Sequence, residues 1–189
     1  HGVRVERRQR VRGRVFRAAR RIADASEADS GLAWKINSIE AGADPWKVTE
    51  NVYESYAFRR INLLGKVLSG IERSHDGRIA WVLVTEDLYR QTGTSAEDTD
   101  NFVNFVRSIK GVEVAVLFRQ TGEAQYKISL RAKGRVDLSE LATSLGGGGH
   151  KNAAGGVLDG TFTDVRDKVI DAVVHSLEAQ LGKGPQSTS

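Results

Sequence analysis

The sequence predicts an α/β protein: a compact module with a central mixed sheet flanked by helices, preceded by a helical linker. Three observations carry that expectation. Runs of β-branched and aromatic residues alternate with segments of helical period. Glycine and acid-glycine turns punctuate them. The hydrophobic share of 40% and charged share of 28% are those of an ordinary globular domain.

The elements sharpen from Glu40 onward. Ala43-Asp44-Pro45 offers an N-cap followed by proline at the first helical position, opening a helix through Trp46, Val48, Val52 and Tyr53. A second helix is expected from Ala57, with Ile61, Leu64, Val67, Leu68 and Ile71 as its apolar stripe. His75-Asp76-Gly77 reads as a turn, and Ile79 to Val84 as a buried strand. Thr94-Ser95-Ala96-Glu97 resembles a capping box that opens a helix carrying Phe102, Val103, Val106 and Ile109, ended by Lys110-Gly111. Val112 to Phe118 is a second strand, Thr121-Gly122-Glu123 a hairpin turn, and Tyr126 to Ala132 a third strand. Asp137 caps a short helix through Leu138, Leu141 and Leu145. A glycine loop, a helical turn, a short strand near Val157-Leu158 and a last helix from Thr163 complete the module. Residues 1–39 are expected to be an Arg-rich arm, 40–73 the linker, 74–182 the module and 183–189 a disordered tail.

Composition restricts function. There is no cysteine, so disulfides and thiolate metal sites are excluded. Apolar runs fall short of the ~18 residues of a membrane span. The first residues show no signal-peptide pattern, so the expected compartment is the cytoplasm. The net charge of +4 is concentrated at one end. Residues 1–21 hold nine arginines against the single acid Glu6, and the remainder has an excess of acids. That arm could grip phosphates with little sequence preference, or be no more than a solvated terminus.

The segment of narrowest chemical meaning is Gly146-Gly147-Gly148-Gly149-His150-Lys151-Asn152-Ala153-Ala154-Gly155-Gly156. Side-chain-free backbone can approach a ligand closely. A loop feeding a helix start, with a cation at the junction, is an expected cradle for an anion, most naturally a phosphate. His150 can donate to a phosphate oxygen, and Asn152 can read a base edge or ribose hydroxyl. Strand alternation places Ser129 and Arg131 on one face, where an arginine suits bidentate phosphate recognition. Lys133 reads as solvated, and His75 and His175 as exposed and inert. No two-metal site and no nucleophile–base pair is legible, so no catalytic or metal residue is assigned.

Gly147-Gly148-Gly149-His150-Lys151-Asn152-Ala153-Ala154-Gly155 resembles the G-G-G-H-x-x-A-A-G signature of the DHHA1 domain. That domain is the C-terminal lobe of DHH-family phosphoesterases. The resemblance extends through residues 104–118, Ser129-Leu130-Arg131, and Glu40 to Pro45, the last similar to the linker between lobes. It is strongest to the oligoribonuclease type (nano-RNase, also active on 3′-phosphoadenosine 5′-phosphate), with cyclic-dinucleotide phosphodiesterases next. It implies that Arg131, Gly147, Gly148, Gly149 and His150 bind the phosphate and base of a nucleotide or short RNA. Asn152 stands at a variable position of the motif and carries a weaker implication.

The resemblance also implies Mn²⁺, held by a DHH lobe. This chain shows neither a D-H-H motif nor the T-D-T-G-x-F segment ahead of the linker, so no cofactor is assigned to it, and alone it is expected to bind without cleaving. The alternatives are a stand-alone nucleic-acid-binding or regulatory module acting through the arm, or a non-functional fragment. A homodimer stays open.

Overall fold

The structure, a computed structural model, describes residues 56–74 and 76–182 together with Asp44. The expected arm, the helix through Trp46 to Tyr53, His75 and the tail lie outside the described residues. A compact unit begins at Ala57.

Its elements run α1 (Phe58–Ser69), β1 (Glu72–Arg73), β2 (Ile79–Val84), α2 (Glu86–Thr92), a 3₁₀ turn (Ala96–Thr99) and α3 (Phe102–Arg107). Then come β3 (Val114–Gly122), β4 (Gln125–Ala132), α4 (Ser139–Ser144), β5 (Gly148–His150), β6 (Ala153–Asp159) and α5 (Phe162–Leu181). The six strands form one sheet in the order β1-β2-β3-β4-β6-β5. Only β2 and β3 run parallel, and the other neighbours are antiparallel, so the sheet is mixed as expected.

Two cores sandwich part of this sheet. On one face Ile79, Trp81, Val114, Val116, Phe118, Tyr126, Ile128 and Leu130 pack with Leu141 of α4 and Val165, Val169, Val173 and Leu177 of α5. On the other, Ala80, Val82, Val84, Ala115 and Leu117 pack with Leu63 and Val67 of α1 and Phe102, Val103 and Val106 of α3. Strand β2 is therefore apolar at every position, because helices cover both its faces. Strand β4 alternates instead. Tyr126, Ile128, Leu130 and Ala132 are buried, whereas Lys127 is exposed and Ser129 and Arg131 are half-buried. On its second face α3 approaches from the β3 side.

Several expectations are corrected. The box at Ser95 exists, with Asp98 as its reciprocal partner, but it caps the 3₁₀ turn. Helix α3 starts only at Phe102, after Asn101 at φ 66° interrupts the chain. The stripe of α1 is displaced: Leu63 and Val67 are buried, while Ile61 is 47% exposed. Hairpin strands β3 and β4 run to Gly122 and from Gln125, which leaves Glu123-Ala124 as the turn. Strand β1 and helix α2 were not foreseen. Strand β1 follows from the turn at Asp76, whose carboxylate accepts from Ser74 Oγ (2.7 Å) and the Arg78 amide (3.0 Å) and pairs with Arg78 Nε (2.6 Å). Thr85 caps α2 by accepting from Leu88 N–H at 3.2 Å, and Glu86 and Asp87 complement its N-terminal dipole.

The largest correction concerns the glycine run. No helix follows it. Gly148–His150 forms edge strand β5, Lys151-Asn152 makes the turn, and Ala153-Ala154 begin β6. The glycines serve close strand packing. A Cβ on Gly155 would collide with the Ile128 carbonyl, and one on Gly147 with the Gly155 carbonyl. Gly149 sits at φ 151° against Ala154, where a side chain would be both strained and blocked.

Candidate nucleotide-binding face

Strand register decides which candidate residues share a surface. Arg131 of β4 pairs with Ala153 of β6, and Ala153 pairs with His150 of β5. Directly opposed residues in antiparallel strands point to the same face. Arg131 and His150 therefore stand in one row, about 10 Å apart at the backbone, with only a methyl group between them. The row lies on the α3 side of the sheet, at the margin of that core, since Arg131 also pairs with Ala115.

The side chains differ in setting. His150 is exposed at the end of β5, and Gly148 and Gly149 beside it leave bare backbone in contact with solvent. Arg131 is half-buried, and its Nη1 donates to the Leu130 carbonyl at 3.0 Å, which fixes the guanidinium near the sheet. Ser129 pairs with Gly155 one step along the same face, so the floor between the strands is made of small residues. The opposite face holds a small apolar hollow among Ile128, Leu130, Ala142, Leu145 and Leu158, which offers no polar side chain to an anion.

The other candidates are placed elsewhere. Asn152 is half-buried in the β5–β6 turn, its Oδ1 shielded from solvent near Gly134, and its carbonyl accepts from Ala132 N–H at 3.0 Å. Lys151 lies close enough to Asp137 to act on its carboxyl. That group is held below its ordinary 3.8, chiefly by Ser139 Oγ and the Ser139 amide, with Lys151 adding to the effect. Lys133 is exposed and donates from Nζ to the Ile109 carbonyl at 2.7 Å, tying β4 to the end of α3. His175 is exposed on α5. Sequence reasoning passed over Lys127 and Val157. They are exposed partners on the open face, and the alternation that united Ser129 with Arg131 also includes Lys127.

Among the described residues no three His, Asp or Glu side chains are grouped to hold a metal ion, so these residues supply no donor set for Mn²⁺. Nor is any described helix long and apolar enough to cross a membrane.

The DHHA1 domain model matches residues 76–182, more than half of the chain. The bifunctional oligoribonuclease and PAP phosphatase NrnA of Thermus thermophilus is 38% identical over 116 residues, covering 61% of this chain and 34% of that protein. The Bacillus subtilis protein of the same name is 30% identical over 95 residues, covering 50% of this chain and 29% of its own length. The chain thus spans about a third of the relatives it matches. An exopolyphosphatase-related protein from Bacteroides fragilis has a similar structure, with a TM-score of 0.65 and 28% identity over 82% of this chain and 44% of that one.

Proposed function

The chain belongs to the DHHA1 domain family, and from that premise we propose that it is the substrate-gripping C-terminal lobe of a DHH-family phosphoesterase of the oligoribonuclease type. Its ligand is the phosphate end of a nucleotide or short RNA. The observation that carries this reading is the row Arg131–Ala153–His150 across one face of the sheet. A guanidinium offers paired N–H donors matched to phosphate oxygens, and an imidazole adds a further donor from the other side. The alanine between them leaves room for a tetrahedral anion, and Gly147, Gly148 and Gly149 keep bulk away from the His150 side. Asn152 contributes through the turn backbone that holds β5 to β6.

The two relatives named as oligoribonuclease and PAP phosphatase support a short-RNA or adenosine bisphosphate ligand. Cyclic dinucleotides present the same phosphate chemistry. The role of this lobe is orientation of the ligand rather than bond-making. Hydrolysis and the Mn²⁺ that drives it belong to residues outside those described here, and a DHH lobe is their expected source.

The test is equilibrium binding of a 5′-phosphorylated adenylate trinucleotide to the full chain. Arg131→Ala and His150→Ala each weaken it about tenfold or more, the worth of a charge-assisted hydrogen bond. Deletion of residues 1–21 removes the competing reading. If affinity and its salt dependence vanish with the arm while both point variants bind normally, the chain is an electrostatic nucleic-acid module and not a nucleotide-gripping lobe.

A further inference from the structure

The open face does not end at Arg131. Along β4 the residues on this face are Gln125, Lys127, Ser129 and Arg131, and their partners on β6 are Asp159, Val157, Gly155 and Ala153. Between the Arg131 row and the Lys127 row the floor is Ser129 and Gly155, which gives a shallow lane about 13 Å long between two cations. Lys127 and Val157 close the lane, both exposed. Val157 is 50% exposed, one of few large apolar side chains in that condition among the described residues. On the next strand Arg119 is the registered partner of Lys127. Its guanidinium is drawn away to the 3₁₀ turn, where it donates to Thr99 Oγ1 at 3.2 Å, which leaves Lys127 as the cation of this row. Beyond them stands Asp159, which accepts from Gln125 Nε2 at 3.0 Å.

This order of groups has one chemical reading. We propose that the lane from Arg131 to Lys127 holds the second nucleotide of an oligonucleotide. Lys127 meets its phosphate, and Val157 meets its base. This inference rests on the reading of Arg131 and His150 as the site of the first phosphate. A single strand laid on a sheet tracks its phosphates over cations such as Lys127, and the exposed Val157 gives a base an apolar surface to cover. The Asp159 carboxylate then repels a further phosphate, so the lane is bounded and favours short oligonucleotides.

The experiment compares two probes on the full chain: adenosine 5′-monophosphate, and a 5′-phosphorylated adenylate trinucleotide. Lys127→Gln weakens the trinucleotide about tenfold and leaves the monophosphate unchanged. The slope of log affinity against log salt for the trinucleotide falls by about 0.7, the value of one lost phosphate contact on a single strand. Lys127→Arg restores both. Equal loss for the two probes, or an unchanged salt slope, overturns the lane while a tenfold loss in Arg131→Ala leaves the first site standing. If Arg131→Ala changes neither probe, or neither probe binds the unaltered chain, the first site fails and the lane fails with it.

Discussion

Strands β2 and β3 lie between helices on both faces, whereas β4 meets α3 only along its β3 side and β6 displays exposed Val157. The registered pair Leu117 and Ser129 shows the consequence on a single surface. Both point to the same side of the sheet, one strand apart. Leu117 is 3% exposed beneath α1 and α3, whereas Ser129 is half-buried. The covered half is therefore free to be apolar, and it is along Ile79–Val84 and Val114–Phe118. The uncovered half must satisfy solvent and so can display Lys127, Arg131 and His150 without cost to the core. One half of the sheet is packed on both sides, and the proposed binding residues lie in the other.

The sharpest way to break this comparison is to place a charge on the covered side. Leu117→Lys buries an ammonium without a partner and costs more than about 4 kcal/mol, enough to unfold the chain in a urea titration. Next comes the close strand contact that builds the open half. Gly155→Val drives a side chain into the Ile128 carbonyl and costs about 3 kcal/mol, read as a fall in the urea midpoint with loss of hydrogen-exchange protection in β6.

A smaller effect belongs to the turn before β2. Partial burial alone would raise the Asp76 carboxyl, but hydrogen bonds from the Arg78 amide, the Arg78 side chain and Ser74 outweigh it, and the group titrates below its ordinary 3.8. A depressed carboxyl stabilises the fold above its unfolded value and loses that contribution as pH falls through the folded value. Asp76→Asn therefore costs about 1 kcal/mol at neutral pH, since it removes a partly buried charge-assisted pair with Arg78, and flattens the loss of stability below pH ~4. Ser129→Lys gives the smallest change, within about 0.5 kcal/mol by the same urea titration, although its partner Leu117 tolerates no such substitution.

Elements with strong period were legible from sequence. Helix α5 is expected from Thr163 and runs Phe162–Leu181, and strand β2 is expected at its observed limits. Short elements were not, because two exposed residues of β1 or seven of α2 carry too little periodicity to stand out. The signature from Gly147 to Gly155 was recognised as a chemical landmark but misread as structure. Glycine freedom fits a loop before a helix as well as a strand packed against a neighbouring backbone. Only the partner strand, with the Ile128 and Gly155 carbonyls in the way, distinguishes them. The pairing of Arg131 with His150 through Ala153 was likewise beyond the sequence, since register across β4, β6 and β5 is a long-range property. Alternation on β4 was local, and it could have included Lys127.

The most direct test of the division between a stabilising half and a binding half is a footprint. Amide shifts of the full chain, followed during titration with the phosphorylated adenylate trinucleotide, should move at residues 127, 129, 131, 148–150, 153 and 155 and stay still along α4 and α5. Shifts centred on α4 and α5, or on residues 1–21 alone, would contradict it.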